Sequence, residues 1–210
     1  MKTIILIRHG ETDWNREKVF RGRMDIALNS KGIRQAWLLG KYLQNVPIDA
    51  IYSSPLVRAS RMAEIMAKYH NIEVQKAVEL TDMDYGEWQG LPQHSVMKKF
   101  PELYDQWLVA PHLVKIPRAE PLHDIRDRTY DFVAKLLNKH DSSVVLVSHR
   151  VVHKVLICAL LGLDESHFWN IKLDTCGITT FIHRKSLFVL AKHNDTSFLK
   201  HLGRTKEDDF

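Results

Sequence analysis

Two stretches of the chain carry an unbroken aliphatic pattern, residues 3–7 (TIILI) and 144–147 (VVLV), and each stops abruptly on a histidine, His9 or His149. Continuous β-branched runs of this length predict strands buried on both faces, as in a parallel sheet. Helical spacing follows the first run in "LNSKGIRQAWLLGKYLQ". There Asn29 or Ser30 is placed to cap, and Ile33, Ala36, Trp37, Gly40, Tyr42 and Leu43 form a broad apolar face. "DAIYSS" predicts a second brief strand, with Pro55 in the first turn of the helix "PLVRASRMAEIMAKY". Residues 94–109 read as a less regular helix, and 110–121, with three prolines, as loop. "LHDIRDRTYDFVAKLLNKH" is a further amphipathic helix, and "VVHKVLICALLGL" a mostly buried one that Gly162 ends. "GITTFIH" and "SLFVLAKH" predict a closing hairpin around Arg184-Lys185.

Strands alternating with helices define an α/β class: a three-layer sandwich with a mostly parallel central sheet and helices on both faces. No repeat or linker interrupts the chain. A single domain over residues 1–202 is expected, with a small lid insertion at about 85–121 and a frayed polar tail at 203–210.

Composition narrows the functional classes. The formal charge of +5 suits an anionic small substrate. Lys and Arg are scattered without a block of five, which argues against nucleic acid as the partner. Cys158 and Cys176 are the only cysteines and form no CxxC, which excludes a disulfide scaffold. The N-terminal apolar run is too short for a signal peptide, and nothing approaches the roughly 18 apolar residues of a membrane span. A cytoplasmic protein without membrane contact is the expectation. Oligomeric state stays open, a homo-oligomer included.

In open α/β sheets ligands bind beyond the carboxyl ends of the strands. His9 and His149 both fall there, Arg8 stands beside the first, and Arg58 lies on the helix after the second strand. Guanidinium forks match phosphate oxygens, and a neutral imidazole nitrogen can attack phosphorus. The cluster therefore points to phosphoryl transfer through a phosphohistidine. A metal site is the competing reading, but the usual ligand spacing is missing. His149 and His153 are four apart, yet the string H-R-V-V-H lacks the zincin glutamate. His153 reads as a helix residue of the core or rim, and no metal or cofactor is called for.

The string "LIRHGETDWN" resembles the signature of the histidine phosphatase superfamily, which includes cofactor-dependent phosphoglycerate mutases and many phosphatases. The likeness continues through "RGRMDIALNSKGIRQA", "IYSSPLVRA", "DYGEWQG" and "VVLVSHR", covering about residues 3 to 183. It implies that His9 is the nucleophile and that Arg8, Arg58 and His149 clamp the phosphoryl oxygens. It also implies that Asn15 lies near the phosphate and that Gly22 lets backbone approach substrate. The family's general acid falls on Asp82, a carboxylate one methylene short of the usual glutamate, with Asp84 as its competitor and Glu87 and Glu11 in reserve. Two departures add cations: Arg21 replaces a glutamine, and Arg150 replaces the glycine after the second histidine. Both are candidate substrate contacts, Arg150 with the alternative of simply pointing outward.

The resulting expectation is a metal-independent phosphatase acting on a small phosphorylated metabolite. A cofactor-dependent phosphoglycerate mutase is the nearest alternative, and an inactive phosphate-binding module a more distant one. The aromatic residues Trp88, Phe100, Tyr104 and Trp107 of the lid are expected to serve packing more than recognition.

Overall fold

The computed structural model describes residues 1–202; the predicted frayed tail lies outside the described residues. Six strands, β1 (Lys2–Arg8), β2 (Ala50–Ser53), β3 (Val74–Lys76), β4 (Ser143–Ser148), β5 (Ile178–Arg184) and β6 (Leu187–Asp195), form one sheet. Their order is β3-β2-β4-β1-β5-β6. The first four pair in parallel, and β5 runs antiparallel to both β1 and β6.

The aliphatic runs explain why the inner strands accept cover on two sides. Ile5 and Ile7 of β1, Ile51 of β2, and Val145 and Val147 of β4 face a layer of α2 (Ser30–Leu43) and α3 (Val57–Ala67). The intervening residues, Ile4, Leu6, Tyr52, Val144 and Leu146, face the opposite layer of α6 (Leu122–Lys139) and α7 (Arg150–Leu160). Side chains alternate along a strand with period two, so a strand apolar at every position must be buried twice. The predicted three-layer α/β sandwich is therefore present. Among the described residues, no helix is long and apolar enough to cross a membrane.

Local differences from the sequence reading have physical causes. Asn29 caps α2, accepting from the Lys31 and Gly32 amides. Pro55 is not in the first turn of α3; the helix starts at Val57 after Leu56, and Pro55 belongs to the preceding loop. Residues 94–109 are two helices, α4 (Gln93–Lys99) and α5 (Pro101–Val109). The break falls at Phe100, because a residue before proline is driven out of helical conformation. The hairpin turns on Lys185 and Ser186, both with positive φ, one residue later than expected. Strand β3 and the one-turn helix α1 (Asp13–Arg16) were not foreseen; each is too short and too polar to carry a periodic signal.

A third apolar cluster, rich in aromatic side chains, fills the space beyond the sheet. Phe20, Tyr85, Trp88, Tyr104 and Trp107 pack there against Val151, Val152 and Val155 of α7. The ring of Trp88 has no exposed surface, and Trp107 meets it edge-on with centroids 6.1 Å apart. Packing does account for the aromatic spacing.

Candidate active site

Sheet register builds the site. Arg8 pairs with Ser148 across the β1–β4 ladder, so the next residue on each strand is a histidine. The His9 amide donates to the Ser148 carbonyl at 2.9 Å, and the two imidazoles stand with centroids 5.2 Å apart. Strand β2 ends beside them. The Ser54 amide donates to the Val147 carbonyl at 2.9 Å, and Ser54 Oγ shares a 2.8 Å hydrogen bond with His149 Nε2.

The protonation form of His9 follows from one contact. Its Nδ1 lies 2.7 Å from the Gly10 carbonyl oxygen, which can only accept, so Nδ1 carries the proton. The lone pair is left on Nε2, which is buried and makes no hydrogen bond to protein. Burial, reinforced by Arg58, Arg21 and Arg8, holds the His9 pKa well below its ordinary value. Gly10 itself has no room for a side chain, since a Cβ would fall 2.9 Å from the Gly32 carbonyl oxygen. The loop that carries His9 is thereby pressed against the start of α2.

Guanidinium groups surround the imidazoles. Arg58 has no exposed surface; it donates to the carbonyls of Met24 at 2.8 Å and Gly22 at 2.7 Å and to Asp82 Oδ2 at 3.0 Å. Arg8 donates to the Leu173 carbonyl at 2.6 Å. Asp82 also accepts from the Met83 amide at 3.0 Å, and its Oδ2 lies 3.5 Å from His149 Nδ1. One carboxylate thus touches both a buried arginine and the second histidine. Asp84 turns away, accepting from the Gly86 amide at 2.9 Å with Arg23 3.7 Å off. Glu87 pairs with the exposed Arg118 at 3.5 Å. Glu11 is held by Lys31 at 3.3 Å and Asn29 at 3.0 Å.

A cavity of about 630 Å³ opens over this cluster, and Arg8, Asn15, Arg21, Gly22, Asp82 and Arg150 are part of its lining. Tyr85, Tyr104, Trp107 and Trp169 contribute aromatic surface to the same lining. His9, Arg58 and His149 are fully buried and do not belong to the lining itself. Asn15 Oδ1 is committed to the Thr12 amide and hydroxyl at 3.0 and 2.9 Å, capping α1. Gly22 adopts φ +51, and a Cβ there would meet Gln89 Oε1 at 2.3 Å. Its carbonyl anchors Arg58, a backbone duty the sequence reading did not assign.

Ser54 and Tyr85 were also missed. Both lie inside quoted motif stretches, but neither is a residue type that announces phosphoryl chemistry. Cys176 is a third. It holds a left-handed φ of +61, and its amide donates to the carbonyls of both Arg8 and His9, at 3.1 and 3.2 Å. No sequence signal marks it. Among the described residues, no group of three or more His, Cys, Asp or Glu side chains is assembled as a metal site.

The family model of the histidine phosphatase superfamily (branch 1) matches residues 4–196, and the chain belongs to that family. Phosphoserine phosphatase 1 of Hydrogenobacter thermophilus is 35% identical over 204 residues, which cover 97% of this chain and 95% of that protein. Among solved structures, Bacillus stearothermophilus YhfR superposes with a TM-score of 0.91 at 31% identity, covering 95% of this chain and all of that one. A phosphoserine phosphatase from Entamoeba histolytica in complex with 3-phosphoglyceric acid gives a TM-score of 0.85 at 29% identity. It too covers 95% of this chain and 100% of its own. Relatives with phosphatase names, matched along nearly the whole chain, support phosphatase activity.

Proposed function

We propose that this protein hydrolyses small phosphate monoesters by way of a phosphohistidine on His9. The observation that carries the reading is the contact between His9 Nδ1 and the Gly10 carbonyl, which leaves a neutral Nε2 facing no protein partner among fixed cations. Nε2 attacks phosphorus in line as the ester P–O bond breaks. Asp82, in its acid form, gives its proton to the departing alkoxide. Water then attacks the phosphoryl group, the P–N bond breaks, and Asp82 takes up the water proton. Arg8, Arg58 and His149 stabilise charge on the equatorial oxygens throughout, and positioning with electrostatics supplies most of the acceleration. The placement of Asp82 in the cavity lining beside His149 supports it as the acid over Asp84, which is outside that lining and faces Arg23.

Asn15, Arg21, Gly22 and Arg150 serve as substrate contacts along the cavity, with residues 85–121 as its cover. The relatives' substrates, phosphoserine and a phosphoglycerate ligand, indicate a small phosphorylated metabolite. Release of inorganic phosphate from p-nitrophenyl phosphate in excess chelator tests the reading. Turnover that the chelator abolishes contradicts it. Isomerisation of a phosphoglycerate without free phosphate would redirect the phosphoryl group from water to a second hydroxyl.

A further inference from the structure

Asp82 stands in a stretch with no hydrogen-bond ladder of its own. Residues 81–85 belong to no helix or strand and lie between two single 3₁₀ turns, Val78–Leu80 and Gly86–Trp88. Carbonyls of such a stretch, where shielded from water, must find donors elsewhere. Side chains supply most of them here. Arg128, on α6, donates through Nη1 to the Glu79 carbonyl and through Nη2 to the Thr81 carbonyl at 2.8 Å. The Ser148 hydroxyl donates to the Leu80 carbonyl at 2.6 Å, and Arg23 Nε to the Asp82 carbonyl at 3.4 Å. The Glu120 amide donates to the Asp84 carbonyl at 2.9 Å. Residues 79, 80, 81, 82 and 84 are thus each held at the carbonyl by a donor from outside the stretch.

Glu120 ties the charged donors together. Its carboxylate accepts from Arg128 Nε at 2.8 Å and Nη2 at 3.1 Å, and its Oε2 lies 3.3 Å from Arg23 Nη2. Asp84 Oδ2 stands 3.7 Å from Arg23 Nη1, so that carboxylates and guanidiniums alternate. The Glu120 and Arg128 side chains are 12% and 20% exposed, and a two-pronged pair so sheltered holds its geometry better than a rim pair. The two ends of the cover meet at the same place. The Glu87 amide donates to the Pro117 carbonyl at 3.1 Å, and a Cβ on Gly86 would fall 2.1 Å from that oxygen. Asp82 is one methylene short of the family's glutamate, so its carboxyl follows the backbone more closely. A misplacement of about 1 Å can cost on the order of 10²-fold in rate.

We propose that Arg128, Glu120 and Arg23 are positioning residues for proton transfer by Asp82. They fix the backbone of residues 79–84 so that the short carboxyl reaches the departing oxygen. The role rests on the phosphatase reading, with Asp82 as its acid. The brace also fastens the far end of the cover, so enclosure of the ester and delivery of the proton share one anchor.

Leaving-group dependence tests the brace. Arg128→Gln should lower kcat/KM for ethyl phosphate by about 10–10²-fold, and that for p-nitrophenyl phosphate by less than about threefold. Glu120→Gln keeps the shape of the side chain and guards against a folding failure in the first variant. It should show the same contrast at a smaller size, about three- to tenfold on ethyl phosphate. In an Asp82→Asn background, Arg128→Gln should cost less than about a further threefold, because the proton it serves is gone. Equal losses on the two esters, or losses of Arg128→Gln and Asp82→Asn that multiply, overturn the positioning role. A leaving-group effect in Asp82→Asn that neither Arg128→Gln nor Glu120→Gln shares would sink the brace alone. Absence of wild-type turnover of p-nitrophenyl phosphate would instead sink the phosphatase reading, and the brace's role with it.

Discussion

The floor of the cavity and its wall are built by different physics. Behind the floor's lining, His9 and His149 are set by backbone: a parallel ladder in fixed register, a hydrogen bond from the His9 amide to the Ser148 carbonyl and a carbonyl 2.7 Å from His9 Nδ1. On the wall, Arg21, Tyr85 and Arg150 come from three separate segments of the chain, and Tyr85 is held in the aromatic cluster that packs against α7. Floor groups are buried and mutually constrained, which suits chemistry that must be repeated without variation. Wall groups answer to side-chain packing, where one substitution changes the charge without disturbing the sheet. Under the proposed function, reaction belongs to the floor and choice of substrate to the wall.

The largest effect should follow from emptying the floor. His9→Ala is expected to lower kcat by about 10⁴-fold or more, with the far-ultraviolet spectrum unchanged, as for the loss of a nucleophile. Activity within tenfold of wild type would remove the division of labour altogether.

Asp82→Asn comes next. A loss of about 10²–10⁴-fold is expected on alkyl phosphates, which need a protonated leaving group. The loss should be clearly smaller on p-nitrophenyl phosphate, whose phenolate leaves unaided. Equal losses on both would make Asp82 a prop for Arg58 and nothing more. Glu87→Gln should change activity by no more than about twofold, because its partner Arg118 is 81% exposed and the pair contributes little. A larger change would bring the outer cover into the reaction.

Acid should weaken the floor before the wall. The His153 pKa is drawn down to about 3 by burial, with Arg8 adding to it; His9 and His149 are lowered in the same direction. The unfolded chain takes up protons near pH 6.5 that the native state refuses until far lower pH. Stability contributed by the neutral form is therefore lost as pH falls from about 6.5 toward 3. Between pH 7 and 5, His153 alone accounts for about 2 kcal/mol by linkage. Urea denaturation at the two pH values measures the difference. His153→Leu, which also removes two buried nitrogens without partners, should flatten it by about that amount. An unchanged slope would contradict a neutral buried His153.

The smallest effect concerns the frame around Arg58. Gly22→Ala forces a left-handed residue into contact with Gln89 and the Met83 carbonyl and should cost about 1–3 kcal/mol. A neutral result would mean that the loop holding Arg58 has slack.

What could be read in advance follows the same line. The two aliphatic runs ending on His9 and His149 carry both the strand signal and the site, since β-branched continuity and strand-end position are local properties. Arg58 was legible from its place on the helix after the second strand and Asp82 from the motif resemblance, and the structure brings them within 3.0 Å of each other. Pairing of strands decided the rest. Ser54 reaches His149 only because β2 lies beside β4, and no local pattern states that neighbour. Cys176 holds the Arg8 and His9 carbonyls from the turn ahead of β5, in a backbone conformation that residue type does not advertise. The helix break at Phe100 was available in principle from Pro101, whereas the short edge strand β3 was not.

Rapid acid-free quench of the enzyme with a ³²P-labelled phosphate ester, followed by peptide mapping, tests the central claim most directly. The account predicts a transient label on His9 that is lost in acid, survives alkali, and is missing from His9→Ala. Steady release of labelled phosphate with no adduct on His9 at any time point, or an acid-stable label on another side chain, would contradict it.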